Sequence, residues 1–312
     1  MRFKLLILII STSLSAQNIA NSLETVINAF NGIKTNDRHL THHLLDIAKN
    51  GQNIDYNDKV KLEALGFNFG STLISRGGSE RPESVGLDKF LDSEYFRFHY
   101  STSGPHAVDT KDIDNNLLPD YVEEVIRVFG YVADKLHNEM GYTRPPSDGY
   151  YSSTRDKGGS NHYDIYIRSI PSKYYGYVQP EEYSQGNGDN ERSELRNEKN
   201  AFTSYMAIRN NYKKFSLSEL ENIKVTAAHE YFHAIQFGYD GWEKPWLLEA
   251  SAIWMEEEIY DEINDCYQYM KDWFKYPHKS LDESGFHWYG SFIFFEYIEQ
   301  HMGGSDTIRK IM

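Results

Sequence analysis

The stretch Val225-Thr226-Ala227-Ala228-His229-Glu230-Tyr231-Phe232-His233-Ala234-Ile235-Gln236-Phe237 decides how the rest of the chain is read. Its composition predicts helix, and on a helix residues four apart share a face. His229 and His233 therefore present two imidazoles to a single ion. Glu230 follows the first ligand directly and projects beside the ion, where a base must sit to take a proton from bound water. Ala227 and Ala228 allow close packing, and Phe232 and Ile235 suit a core. The pattern predicts a zinc site.

Working outward, Ser218 with Glu221 three residues on reads as a capping box that starts this helix. Phe237 is its expected last residue and Gly238 its stop. Two imidazoles do not complete a catalytic zinc site, which takes three protein ligands and keeps one position for water. A metzincin would carry Gly and His three and six residues past His233, but Gln236 and Tyr239 stand there. After the turn Gly241–Pro245, helical character resumes from Trp246 to Glu256. Glu249 lies in its first turn, flanked by Ala250 and Ala252, and is the expected third ligand. Glu256, two turns further on the same face, is expected either to orient a ligand imidazole or to be ordinary helix surface. Glu257 and Glu258 read as surface.

With these residues in hand, the chain resembles the gluzincin class of zinc peptidases. More narrowly, it is similar to a group of secreted bacterial metalloproteases. The similarity rests on the Asp-rich loop Asp112 to Tyr121, the strand Tyr163 to Ile167, the zinc helix, the Glu249 helix and Tyr289-Gly290. It spans roughly residues 90–303. The resemblance implies an α+β, zincin-like fold in which a mixed sheet lies over the two metal-binding helices. It also implies an edge strand lining the cleft, and Ala201 to Ile208 is the candidate, with Thr203, Ser204 and Tyr205 facing substrate. The Gly-Ala-Met-Glu-Asn segment of the aminopeptidase branch is missing before His229, which favours an endopeptidase. A donor to the developing oxyanion is expected on a later element. Tyr289 is the first choice and His287 the second.

Composition sets the outer limits. The 312 residues are 15% aromatic and 25% charged, a globular rather than a disordered balance. Residues 1–16 read as a secretory signal: Arg2 and Lys4, the apolar run Leu5 to Ile10, then Ser13 to Ala16. A secreted or periplasmic location follows. No later segment approaches the length of a membrane span. Without Arg2 and Lys4 the formal charge goes from −14 to −16, which argues against nucleic acid as a partner. A protein or peptide substrate is expected, and a monomer. Cys266 is the single cysteine, so no intrachain disulfide forms, and a half-buried structural thiol is its plain reading.

Residues 17–82 read as a separate helical pre-segment, a propeptide in character. Leu23, Val26, Ile27 and Phe30 have helical spacing, as do Leu40, Leu44, Leu45 and Ile47. His39 and His43 lack a carboxylate after the first histidine and read as a solvated helix face. Ser75 to Pro82 reads as an exposed linker, open to a cut near Arg76 or Arg81. The catalytic domain then covers 83–312, and its abrupt ending at Met312 leaves room for further C-terminal helices. Counting Asp112 as position 1 puts Asp114, Asn116, the Leu118 carbonyl, Asp120 and Glu123 in the register of a calcium loop. Leu117 occupies its usual glycine position. Strands are expected at Tyr95–Tyr100, with His99 exposed, and at Tyr163–Ile167. A helix from Val122 to Met140 ends at Gly141. The rival reading is a non-catalytic exported binding or adhesion module with structural ions. Such a closed site would need a fourth protein ligand, and none stands near Glu249.

Overall fold

Short apolar strands alternate with helices along the chain, and in the computed structural model they stack into three layers. The structure describes all residues except 1–18, 36–38, 70–72, 78–79, 151–156, 171–172, 185–199 and 284. The signal segment and nearly all of the Ser184–Asn200 loop fall outside the described residues. The N-terminal layer holds residues 19–30 (α1), Thr41–Asn50 (α2) and Tyr56–Ala64 (α3). It also holds the antiparallel pair Phe67–Asn68 (β1) and Ser75–Arg76 (β2). The middle layer is a sheet of Lys89–Asp92 (β3), Phe96–Tyr100 (β4), Tyr163–Arg168 (β5), Gly176–Ser184 (β6) and Ala201–Arg209 (β7). Its order is β3-β4-β5-β7-β6. Strands β4, β5 and β7 run parallel, while β3 and β6 are antiparallel to their neighbours. The third layer comprises Asp120–Asp134 (α4), Glu219–Asp240 (α5) and Pro245–Ile259 (α6). Beyond it lie Tyr267–Lys275 (α7), Phe286–Gly290 (α8), Phe292–His301 (α9) and Ser305–Arg309 (α10). The protein is α+β with a mixed sheet. No helix among the described residues is long and apolar enough to cross a membrane.

The central strands are buried on both faces, and period-two alternation sends their side chains to two cores. Phe96, Phe98, Ile165, Ile167, Met206 and Ile208 join α4 and α5. Tyr166, Tyr205 and Ala207 join Leu23, Val26, Leu40, Leu44 and Ile47 of the N-terminal layer. The pre-segment is therefore not separate but packed on the sheet, its apolar stripes meeting β5, β6 and β7 on one face. Nor is Ser75–Pro82 an exposed linker. Arg81 is only 3% exposed, and its guanidinium reaches Asp148, Asp164 and Glu181, each at 2.6 Å. His39 and His43 are buried rather than solvated, with His43 Nδ1 at 2.9 Å from Ser22 Oγ. His99 is covered too: its Nε2 lies 2.7 Å from Asp164 Oδ1 and its ring stacks on Tyr166.

Local signals set the two long helices of the third layer. Ser218 and Glu221 form the expected reciprocal cap of α5. The helix passes through Gly238 to Asp240. Gly238 is needed for close approach, since a Cβ there would meet Pro146 Cδ at 2.9 Å. Pro245 opens α6 at the position where its missing N–H costs nothing. Cys266 is buried and donates to Glu257 Oε2 at 2.9 Å, so both Cys266 and Glu257 are structural. Burial, with the Glu257 carboxylate beside it, pushes the thiol far up and leaves it inert.

Candidate metal centre

From Asn222 to Tyr239 almost every residue of α5 is buried, so its polar side chains must be satisfied inside the protein. His229 Nδ1 lies 2.7 Å from Glu256 Oε1, so Glu256 orients the His229 imidazole. His233 Nδ1 lies 2.7 Å from Gln236 Oε1. The Gln236 amide nitrogen donates to the Leu248 carbonyl at 3.0 Å and to Ser251 Oγ at 2.9 Å. A carbonyl only accepts, which fixes the amide oxygen toward His233. Both Nδ1 atoms therefore carry hydrogen in the neutral rings, and both Nε2 atoms present lone pairs.

Those two Nε2 atoms are 3.0 Å apart. Glu249 brings its carboxylate to 3.5 Å from His229 Nε2 and 3.7 Å from His233 Nε2. Its Oε2 is buried without a hydrogen-bond partner. With both rings neutral, three lone-pair groups converge here, a set that a shared cation, whether a proton or a metal ion, can satisfy. Zinc bonds of about 2.0–2.1 Å in a tetrahedral set would hold two nitrogens about 3.3 Å apart, close to what is seen. The electrostatics ask for the same thing. Burial opposes a charge on His229, but Glu249 and Glu256 outweigh it and push its pKa up to about 10. Burial likewise raises Glu249, yet His42, His233 and His229 together hold it well below the carboxylate range. The residues fit zinc.

Glu230 stands beside this set. Burial raises its pKa against the pull of the two imidazoles and the Thr41 hydroxyl. Strand β6 runs past it so closely that a Cβ on Gly176 would come within 3.1 Å of Glu230 Cγ. This corrects the expected cleft strand: β7 lies between β5 and β6, and the edge on this side is β6. Thr203, Ser204 and Tyr205 are buried in the sheet. Thr203 bonds Glu182, Ser204 lies 3.0 Å from Tyr163 OH, and Tyr205 OH donates to Glu83.

The two oxyanion candidates separate. Tyr289 sits 4.9 Å from the His39 ring, which in turn stacks on His229 at 4.2 Å. His287 instead stacks on Trp273 of α7. Tyr269, not anticipated, lines the small cavity beside His229 and Glu230.

The loop Asp112–Glu123 closes on itself. Asn116 Nδ2 donates to Glu123 Oε1 at 2.5 Å and to Asp114 Oδ2 at 3.0 Å. Asp112 accepts from the Asn116 and Leu117 amides, and Asp120 from the Ile113 amide. Leu117 takes the left-handed conformation, φ 74°, as its glycine position requires. Among the described residues, two groups of three acidic or histidine side chains bring donor atoms within 4.8 Å of one another. They are His229-His233-Glu249 and His39-His229-Glu230, and this loop is in neither.

The centre is covered from the N-terminal layer, which nothing in the sequence indicated. His42 Nδ1 lies 2.7 Å from Glu249 Oε1, and Thr41 Oγ1 donates to Glu230 Oε2 at 2.8 Å. Comparisons of the chain with protein-family models, with curated proteins and with solved structures found no match. Chemically, a cation bound among these three side chains, with Glu230 beside it, would suit hydrolysis by an activated water.

Proposed function

We propose that this protein is an exported zinc-dependent peptidase that cuts within protein chains. The reading is carried by one observation: two imidazole lone pairs and a carboxylate converge on one point, with Glu230 adjacent. His229, His233 and Glu249 would hold the ion, Glu256 and Gln236 fixing the two rings. Zinc bound there would polarise a peptide carbonyl and lower the pKa of a water. Glu230 would serve as the base that takes a proton from the attacking water and hands it to the leaving amine. Burial shifts its carboxyl upward, the direction that makes a carboxylate a stronger base. Tyr289 is the better-placed of the two oxyanion donors once His39 is out of the way.

Glu230→Gln should keep its zinc and lower casein hydrolysis about a thousandfold from whatever rate the wild-type chain shows. Undiminished hydrolysis in that variant removes Glu230 from the base role. One observation favours the non-catalytic alternative, an exported metal-stabilised module: all three ligands and Glu230 are within 2% of complete burial. Casein hydrolysis that a zinc chelator abolishes excludes that alternative.

A further inference from the structure

We infer that α2 is a built-in plug that keeps the metal centre latent and must leave before a substrate can bind. The inference rests on the peptidase reading and adds its regulation. Three contacts carry it. His39, just before the helix, stacks its ring on His229 at 4.2 Å and also meets Tyr289 at 4.9 Å. Thr41 Oγ1 donates to Glu230 Oε2 at 2.8 Å and accepts the Val178 N–H at 3.0 Å. One hydroxyl thus ties the base to the edge strand, across the space between them. His42 Nδ1 lies 2.7 Å from Glu249 Oε1, yet His42 does not belong to the set of donor atoms that converge on the ion position. It engages a ligand without replacing one.

Space and packing agree. The void left beside His229 and Glu230 is about 10 Å³, the size of a single water and far too small for a peptide. A hydrolase acting on polymers cannot work closed, so an element over the centre must move. Helix α2 runs along β6, the one edge strand next to Glu230. It is held there by Leu40, Leu44, Leu45, Ile47 and Ala48, all fully buried. The polar tips hold the plug in register, and the apolar face holds it down.

The test reads access to the metal without turnover. Full-length chain is loaded with Co2+, and acetohydroxamate is titrated against the visible cobalt spectrum. Thr41→Val with His42→Ala should bind the hydroxamate at least about tenfold more tightly than wild type, since two bonds to buried carboxylates are lost from the closed form. Thr41→Val alone, nearly the same shape, should show a smaller gain in the same direction at an unchanged circular-dichroism spectrum. Equal binding in wild type and both variants overturns the plug while leaving the peptidase reading intact. A difference in hydroxamate binding with casein uncut by every variant keeps the plug and overturns the peptidase. Failure of the wild-type chain to take up cobalt overturns both.

Discussion

Two buried polar clusters of this protein invite comparison, one on the N-terminal face of the sheet and one between α5 and α6. In the first, Arg81 brings its own positive charge to Asp148, Asp164 and Glu181, at 2.6 Å from each, and Lys157 adds a contact to Glu181 at 3.3 Å. Every charge has an opposite charge in the chain. In the second, His229, His233 and Glu249 present lone pairs to one another, and the carboxylate keeps one oxygen without a partner. The lesson concerns buried charge generally. A cluster that carries its own cation is satisfied as it stands, whereas a cluster of lone-pair groups is one that a bound cation could complete.

That contrast has measurable consequences. The largest is expected at the self-sufficient cluster. Arg81→Met leaves Asp164 and Glu181 buried without their partner and should cost about 3–5 kcal/mol of stability by urea unfolding. Loss of less than about 1 kcal/mol would mean that the acids there simply protonate. Next comes the metal centre. Glu256→Ala removes the acceptor of the His229 Nδ1 hydrogen and should weaken zinc binding about 10–100-fold in competition with a chromophoric chelator. Unchanged affinity would reduce Glu256 to a packing residue. The smallest lies outside both clusters. Leu117→Gly relieves a left-handed residue and should stabilise by about 0.5–1 kcal/mol, read as a raised melting temperature. The same melts with and without Ca2+ test the calcium register of Asp112–Glu123, and an unchanged melting temperature removes that ion from the reading.

The parts of this molecule visible in the sequence are those whose signals are local. His229, Glu230 and His233 lie within five residues, and the Ser218–Glu221 cap and Pro245 mark where the two site helices begin. Glu249 was legible because its helix follows directly. Strand β6 was not, because Gln179 and Pro180-Glu181-Glu182 interrupt its apolar alternation, and its register with β7 shifts between Pro180 and Tyr183. Arg81 stands in a breaker-rich stretch that reads as solvent, while its acidic partners lie 67 to 100 residues away. Likewise Thr41 and His42 meet Glu230 and Glu249 across 189 and 207 residues. No spacing rule reaches that far. Only Gln236 was within reach, three residues past His233 and so on nearly the same helix face.

The most direct measurement is the zinc content of the purified chain by inductively coupled plasma mass spectrometry, compared with His233→Ala and Glu249→Ala. One zinc per wild-type chain, lost or sharply weakened in both variants, is the expected result. A wild-type chain that binds no zinc in micromolar excess, or variants that hold it equally well, would contradict a metal centre built from these three side chains.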